Sequence, residues 1–539
     1  MARQIVIENP ILNSPFEEPT RHFKFGDESI TNEIVGSRRV SGYFVPVPPP
    51  RKRTRQAALV DTGWNENRFE SSPLINDIRT RVANWRLSGR PNITKTSRLL
   101  LDHWTSPSRV TRRLFFCQIE AAETAIFLAE AAERSGEKWI ENQLRRDNDS
   151  HNPGLYRIAL KMATGSGKTV VMAMLIAWQS LNKLAGPQDA RFSDAFLIIT
   201  PGITIKDRLR VLYPNDPENY YTKFDIVPSS MRQDLNRAKV VITNFHQLMC
   251  RERIPSSKLT KEILAKGEES PFKETPAQMV RRVCRELGNK KNVIVINDEG
   301  HHCYRRAPEE VRERLTGDER READKRNESA RVWISGLEAI QKKVGIRAIY
   351  DLSATPFFLR GSGYAEGRLF PWVVSDFSLI DAIEAGIVKV PRVPVADDSM
   401  TGDMPTYRDI WSRIRDDLPK KGRGTERVAQ EPNLPIALEG ALQSLYGNYS
   451  KSYAHWDGDK AAQARGATPP VFIVVCNNTN VSKLVFDYIA GWEKELPDDS
   501  TVLVPGKLQV FSNVQDGHWT ARPNTILIDS EGQGPNDIH

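Results

Sequence analysis

The chain has 539 residues, which at about 150 residues per domain allows three to four structural units, and its 39% hydrophobic and 27% charged residues exclude a disordered tail. Lysine and arginine exceed aspartate and glutamate to leave a formal charge of +8, a mild excess that permits a polyanionic partner without demanding one. The longest clean apolar run, Val170 to Trp178, is nine residues against roughly 20 for a bilayer crossing, so no membrane partner is expected.

The N-terminus carries acids and prolines where a secretory peptide carries an apolar stretch. Five cysteines, Cys117, Cys250, Cys284, Cys303 and Cys476, lie far apart with no CxxC pair, which points to a reducing, cytoplasmic setting. Residues 1–97 form an N-terminal extension rich in proline and without clear periodicity. Within it, Arg38 to Val60 holds Arg38, Arg39, Arg51, Lys52, Arg53 and Arg55, no acid, and the run Pro48-Pro49-Pro50. Two readings stand: a solvated polyproline-type linker, or a contact with nucleic-acid phosphates on which Tyr43 or Phe44 stacks.

The pattern changes over residues 98–379. Ile119–Ala132 reads as an Ala/Glu-rich helix. Short apolar runs at Tyr156–Lys161, Ala195–Thr200, Lys239–Thr243, Asn292–Asn297 and Ile346–Ser353 are separated by long crossovers. That is the signature of an α/β fold, a parallel sheet with helices on both faces. Arg305 to Arg326 carries nearly balanced charge and reads as a solvated helical face. Near Phe377–Pro394 a short helix runs into a proline-bounded extended piece, which marks a crossing into a second domain over 380–539. There Pro470–Cys476 and Thr525–Asp529 are expected as strands and Asn480–Trp492 as a helix.

The strongest chemical signal is Ala163-Thr164-Gly165-Ser166-Gly167-Lys168-Thr169, which follows the first of these strands and opens a helix over Lys168–Asn182. Gly165 and Gly167 let the backbone curl so that successive N–H groups aim at phosphate oxygens, and the helix N-terminus adds its dipole. Lys168 reaches the β- and γ-phosphates of ATP, and the Thr169 hydroxyl ligates Mg²⁺. Met162 stands where the strict GxxxxGK[ST] pattern has glycine, but the curl depends on the glycines nearest the lysine.

A phosphate loop alone does not separate kinase, transporter, GTPase and helicase. The discriminating element is Val293-Ile294-Val295-Ile296-Asn297-Asp298-Glu299-Gly300-His301-His302, an apolar strand that ends in two acids. It places both carboxylates at the carboxyl edge of the sheet, beside the loop. Asp298 is suited to hold Mg²⁺ through its water shell, and Glu299 to position and deprotonate an attacking water. Three adjacent residues, His301, His302 and Cys303, do not converge on one zinc ion.

Gly165-Ser166-Gly167-Lys168-Thr169, Asp298-Glu299-Gly300-His301 and Ser353-Ala354-Thr355-Pro356 resemble motifs I, II and III of superfamily 2 helicases, the second as a DExH variant with glycine for the commoner alanine. Phe115-Phe116-Cys117-Gln118 is similar to the glutamine motif, which implies that Gln118 reads adenine. Thr200-Pro201-Gly202 resembles motif Ia and Thr243-Asn244-Phe245 motif Ib, which implies a grip on the nucleic-acid backbone. The wording FFCQIEAAETA, KMATGSGKTVVMAMLIAW, NDEGHHCYR and DLSATPF is most similar to the Res, or helicase, subunits of type III restriction enzymes. The resemblance implies a RecA-like P-loop domain, hydrolysis of ATP with Mg²⁺, double-stranded DNA as partner, and a modification (methyltransferase) subunit. It also implies that His301, Ser353, Ala354 and Thr355 couple the γ-phosphate's state to a second domain. Competing local readings remain for three motifs: a helix cap for Thr243-Asn244, a tight turn for Ser353-Ala354-Thr355, and an ordinary helix-start residue for Gln118.

The pattern fails toward the C-terminus. Val471–Cys476 with Asn478 resembles the motif IV region, but no motif V or QxxGRxxR motif VI follows. The second RecA-like domain is therefore expected to be incomplete and the chain truncated or split. No PD…(D/E)xK set is present, since Pro497-Asp498 has no partner after it, so nuclease activity is not expected from this chain alone. The expectation is an ATP-driven DNA motor subunit. Its rivals are a remnant that holds nucleotide without arginine fingers, and an RNA helicase.

Overall fold

The computed structural model describes residues 7, 9–26, 30–44, 69–251, 274–307, 317–391, 410–419, 431–496 and 500–528. Arg51, Lys52, Arg53, Arg55, Pro48–Pro50, Pro497-Asp498 and Asp529 lie outside the described residues. The chain divides into two compact units, Met1–Val390 and Pro391–His539. Among the described residues no helix is long and apolar enough to cross a membrane.

The first unit begins with two small antiparallel ribbons, β1 (His22–Phe25) with β2 (Ile30–Val35) and β3 (Gly42–Phe44) with β4 (Phe69–Ser71). Its centre is a six-stranded, all-parallel sheet of β5 (Arg157–Met162), β6 (Ala195–Thr200), β7 (Lys239–Asn244), β8 (Val293–Asp298), β9 (Ile346–Ser353) and β10 (Val373–Phe377). The strand order is β10-β5-β9-β8-β6-β7. Every residue of β5, β6 and β8 is buried, as a parallel sheet covered on both faces requires. Alternate residues feed opposite cores. Ile294 and Ile296 join one hydrophobic cluster, while Val293 and Val295 join another with Trp333 and Leu337. The expected fold class is therefore observed, a RecA-like arrangement of one parallel sheet between helices.

The five expected strands are present, and β10 is a sixth that the apolar pattern concealed. Its sequence VVSDF carries Ser375 and Asp376, yet all five residues are buried. Asp376 is tolerated there because Lys161 Nζ of β5 reaches its Oδ1 at 2.5 Å and the Ser41 hydroxyl donates to Oδ2 at 2.6 Å.

The helices α1 (Pro73–Leu87) and α2 (Lys95–Trp104) are amphipathic, and Ile75, Val82, Trp85, Leu101 and Trp104 enter the same cluster as the central sheet. The following helix, α3 (Phe116–Ile126), continues as one π-helical turn through Phe127–Ala131. It buries three acids, and each has donors. Glu120 binds Arg38 through two contacts of 2.6 Å. Glu123 accepts from Arg86 Nε at 2.8 Å and from Arg90 Nη2 at 2.7 Å. Glu130 accepts from the Trp178 indole at 2.8 Å and the Ser97 hydroxyl at 2.5 Å. Arg39 pairs with Glu384 and lies 3.6 Å from Asp381, so the two described arginines of the basic stretch are engaged within the unit. Tyr43 donates to Glu70 at 2.6 Å and packs on Phe357 at 5.8 Å. The charged segment from Arg305 reaches the helix Gly317–Lys343, whose buried face carries Trp333, Leu337 and Ile340.

The second unit has its own cluster, with Leu442, Val485, Ile489, Leu508 and Phe511, between the helices Ile436–Gly458 and Thr479–Ala490. The second helix stops two residues before Trp492, where Gly491 takes φ +109° and starts β11 (Gly491–Glu495), which pairs antiparallel with β12 (Thr501–Pro505). Two expectations are corrected here. Neither Pro470–Cys476 nor 525–528 joins a ladder among the described residues. Phe472 and Cys476 pack against the cluster, but Ile473 and Val475 are 78% and 90% exposed. The alternating contacts of a strand are there on one side only, because no described strand lies alongside to cover the other.

Glu123 is wholly buried, whereas its two arginines keep 20% and 15% of their side chains exposed. Glu123→Ala is expected to destabilise the first unit by about 3 kcal/mol, the low end for breaking a buried pair because both guanidinium groups retain some water. Urea unfolding checks this as a lower midpoint at constant slope.

Candidate functional site

The site begins with strand order. β9 lies between β5 and β8, and the register pairs Lys161 with Ser353 and Asp298 with Leu352. The ends of three neighbouring strands therefore release the 163–169 loop, the 299–302 turn and Ser353-Ala354-Thr355 at one edge.

The loop conformation is one that only glycine adopts easily. Gly165 and Gly167 have φ of +85° and +87°. A Cβ on Gly167 would also lie 2.2 Å from Gln118 Nε2. The Ser166 hydroxyl donates to the Ala163 carbonyl at 2.6 Å and closes the curl from inside. Helix α5 starts at Lys168 and runs to Ala185, with its first-turn N–H groups facing the loop's concavity. Thr164 and Gly165 are exposed, and Lys168 and Thr169 are half-buried. Lys168 Nζ lies 3.0 Å from Glu299 Oε1. A glycine-curled loop with a lysine and a hydroxyl, faced by the 298–299 carboxylates, has the donor set for a triphosphate and Mg²⁺.

Gln118 is buried and doubly engaged. Its Nε2 donates to the Ser166 carbonyl at 2.9 Å, and its Oε1 accepts from the Phe115 N–H at 3.0 Å. The side chain thus ties the start of α3 to the phosphate loop. Phe115 itself is packed by Phe16 at 5.7 Å, and the Phe116 N–H donates to the Pro15 carbonyl at 2.8 Å, so the extension reaches this corner of the site.

In the acidic turn, burial and the charge of Glu299 push the Asp298 carboxyl up to about 6, against the pull of Lys168. Glu299 sits at φ +50°, a left-handed conformation that a non-glycine residue holds only under constraint. Its carboxylate is shared between Lys168 and His301, whose Nδ1 is 3.4 Å from Oε2. The same Nδ1 lies 2.8 Å from Ser353 Oγ, and Ser353 Oγ accepts from the Thr355 N–H at 3.0 Å. Burial, with His302 and Lys168, holds the His301 imidazole down to about 3, neutral at ordinary pH. Ala354 is half-buried and Thr355 exposed at the rim.

The residues of the two remaining motifs sit further along the same edge. Thr200 is fully buried, and its hydroxyl donates to the Gly202 carbonyl at 2.8 Å. Pro201 and Gly202 are half-buried. Thr243 turns its hydroxyl to the Asn244 carbonyl, and Asn244 caps the next turn by accepting from the Gln247 N–H at 3.2 Å. In this geometry the side chains of Thr200, Thr243 and Asn244 are spent internally. The rim they leave for a ligand is backbone at Gly202 and the short helix α6 (Ile203–Arg208).

The sequence motifs omit the layer beneath the site. Asp351, 1% exposed, accepts from Arg157 Nε at 2.8 Å, Trp372 Nε1 at 3.0 Å and Asn297 Nδ2 at 2.7 Å. The available signal was a charged residue inside an apolar strand, as in RIALKM, buried throughout, and IRAIYDLS, buried at all but Arg347, since a buried charge must be paired.

Residues 114–358 match the family model described as type III restriction enzyme, res subunit, and this stretch is accordingly a helicase-type domain of that family. The match runs from the residue before Phe115 to just past Thr355, and so takes in the loop, the acidic turn and Gln118. None of the curated proteins matches the chain.

The neutral His301 makes stability fall in acid. An unfolded histidine takes up a proton near pH 6.5, which the folded site refuses until about 3. Asp298 acts in the opposite sense, because its folded pKa is raised to about 6 and the native state takes its proton first. His301→Asn leaves the Asp298 contribution in place and removes the other. Between pH 7.5 and 5.5 the parent is expected to lose about 1.4 kcal/mol more than the variant, read from paired denaturation curves.

Proposed function

We propose that this chain, whose residues 114–358 form a helicase-type domain of the type III restriction res family, is an ATP-hydrolysing motor that moves on double-stranded DNA. The observation that carries the reading is the convergence of Lys168, Asp298 and Glu299 on one cradle, with Lys168 and Glu299 3.0 Å apart. Gly165, Ser166, Gly167, Lys168 and Thr169 receive the phosphates, and Lys168 exchanges its contact with Glu299 for phosphate oxygens. That exchange frees the Glu299 carboxylate to orient a water and accept its proton. Thr169 and Asp298 would hold Mg²⁺, which when bound would neutralise charge on the phosphates. Asp298 would have to be ionised to hold it, and in the metal-free site burial and Glu299 raise that carboxyl to about 6. The His301–Ser353 contact ties the acidic turn to the end of β9, the route by which the nucleotide state reaches the rest of the motor.

DNA as the track and a modification subunit as the partner are carried by the family of this domain, since contacts to a phosphate backbone do not distinguish the sugar. The rival of a different class is a protein that binds nucleotide and does not turn it over.

ATPase assays with no polymer, with duplex DNA and with RNA separate the readings. Stimulation by duplex DNA is expected, and stimulation by RNA alone gives the RNA helicase. Nucleotide binding with no turnover under any condition gives the remnant. Glu299→Gln is expected to retain ATP binding and lose turnover by about 100-fold or more, and Lys168→Ala to lose binding. Unchanged turnover in Glu299→Gln removes Glu299 from the assigned role.

A further inference from the structure

Four strands contribute to a polar row that crosses the sheet directly beneath the acidic turn. Asn297 and Asp351 are register partners on β8 and β9, and Asn297 Nδ2 donates to Asp351 Oδ1 at 2.7 Å. Arg157 on β5 and Trp372 at the start of β10 both donate to Oδ2, at 2.8 and 3.0 Å. Beyond Asn297 the row ends at Trp333, whose indole donates to Asn297 Oδ1 at 3.1 Å. The Arg157 guanidinium is itself packed over the Trp372 ring at 4.8 Å and held by Asn152 at 3.0 Å. With three donors and full burial, the Asp351 carboxylate cannot move without leaving buried charge unpaired.

Gly300 rests on this carboxylate. A Cβ at position 300 would lie 2.7 Å from Asp351 Cβ and 3.0 Å from its Oδ1. The preceding residue is Glu299 at φ +50°, and the turn is closed by the His302 N–H to the Glu299 carbonyl and the Cys303 N–H to the Gly300 carbonyl, both 3.1 Å. A glycine is therefore required here by what lies beneath it, although its own backbone does not occupy the left-handed region. The left-handed residue is its neighbour Glu299.

We infer that Asp351, held by Arg157, Trp372 and Asn297, is a positioning residue that sets the height of the 299–302 turn through contact with Gly300, and thereby aims Glu299. The role rests on the proposed use of Glu299 as the base. It assigns a task to a charge buried in the core. A displacement of about 1 Å at a reacting group costs on the order of 100-fold in rate, so a single methyl group at 300 is enough to expose it.

The test is Gly300→Ala in the full chain, with two readouts. In hydrogen exchange, the amides of His302 and Cys303 are expected to exchange about tenfold faster or more while those of β8 and β9 are unchanged. In turnover, kcat is expected to fall about 100-fold with affinity for a nonhydrolysable ATP analogue held within about twofold. Unchanged exchange at 302 and 303 overturns the inference, and this readout needs no catalysis, so it stands even where the parent chain proves inactive and the motor reading fails. A kcat within about twofold of the parent also overturns it. The same methyl group added to an Arg157→Met/Asp351→Gly background, where both charges and the Asp351 side chain are gone, is expected to cost less than about threefold in kcat. An equal cost in the two backgrounds assigns the effect to the turn itself and overturns the role of Asp351.

Discussion

Arg157 and Asp351 meet at 2.8 Å between β5 and β9 with 0% and 1% of their side chains exposed, and the placement of the whole edge follows from that pair. A buried ion pair adds little to stability, since the desolvation of two charges offsets their attraction. Its effect here is on register. A slip of β9 by one residue would turn Asp351 to the opposite face and leave Arg157 unpaired in a dry core. Lys161 and Asp376 impose the same condition between β5 and β10. The two pairs hold β5 from both sides, and β5 is the strand that delivers the phosphate loop.

The same logic runs through the N-terminal extension. Its arginines answer acids on α3 that would otherwise be buried charges: Arg38 for Glu120, Arg86 and Arg90 for Glu123. Helix α3 in turn carries Gln118, which fastens the carbonyl of Ser166 in the loop. The extension therefore bears on the nucleotide cradle through a chain of contacts, from guanidinium to carboxylate to helix to loop. This accounts for the described arginines of the extension packing with the helicase-type domain as one unit.

At the edge, three groups with conflicting charge are held within a few ångströms. Glu299 contacts Lys168 and His301, while Asp298 beside it is pushed up to about 6 and His301 down to about 3. A carboxyl pushed up and an imidazole pushed down within one turn, both by burial and neighbouring charge, are perturbations of the kind that cluster at functional sites. The left-handed Glu299 belongs to the same arrangement, since strain of this kind persists only where surrounding contacts enforce it.

Chemistry was written locally in this chain, and the sequence alone carried it. GSGKT after an apolar strand and DEGH at the end of another placed the loop, the proposed base and the proposed metal-side acid, because each depends on neighbours in the chain and on a strand end. The α/β class was legible for a similar reason, since strands buried on both faces are continuous apolar runs. The second unit misled the same reasoning: Pro470–Cys476 has the composition of a buried strand and lies 77% to 90% exposed at Val471, Ile473 and Val475, because composition does not supply a neighbour. Thr200, Thr243 and Asn244 spend their side chains on backbone groups within three residues, whereas strand β10 and the engagement of Arg38 and Arg39 were decided by partners 82 to 345 positions away. The requirement for glycine at 300 belongs to that group too. The wording DLSATPF begins at Asp351 but does not say what lies over it, and only the pairing of β8 with β9 brings its carboxylate under the turn.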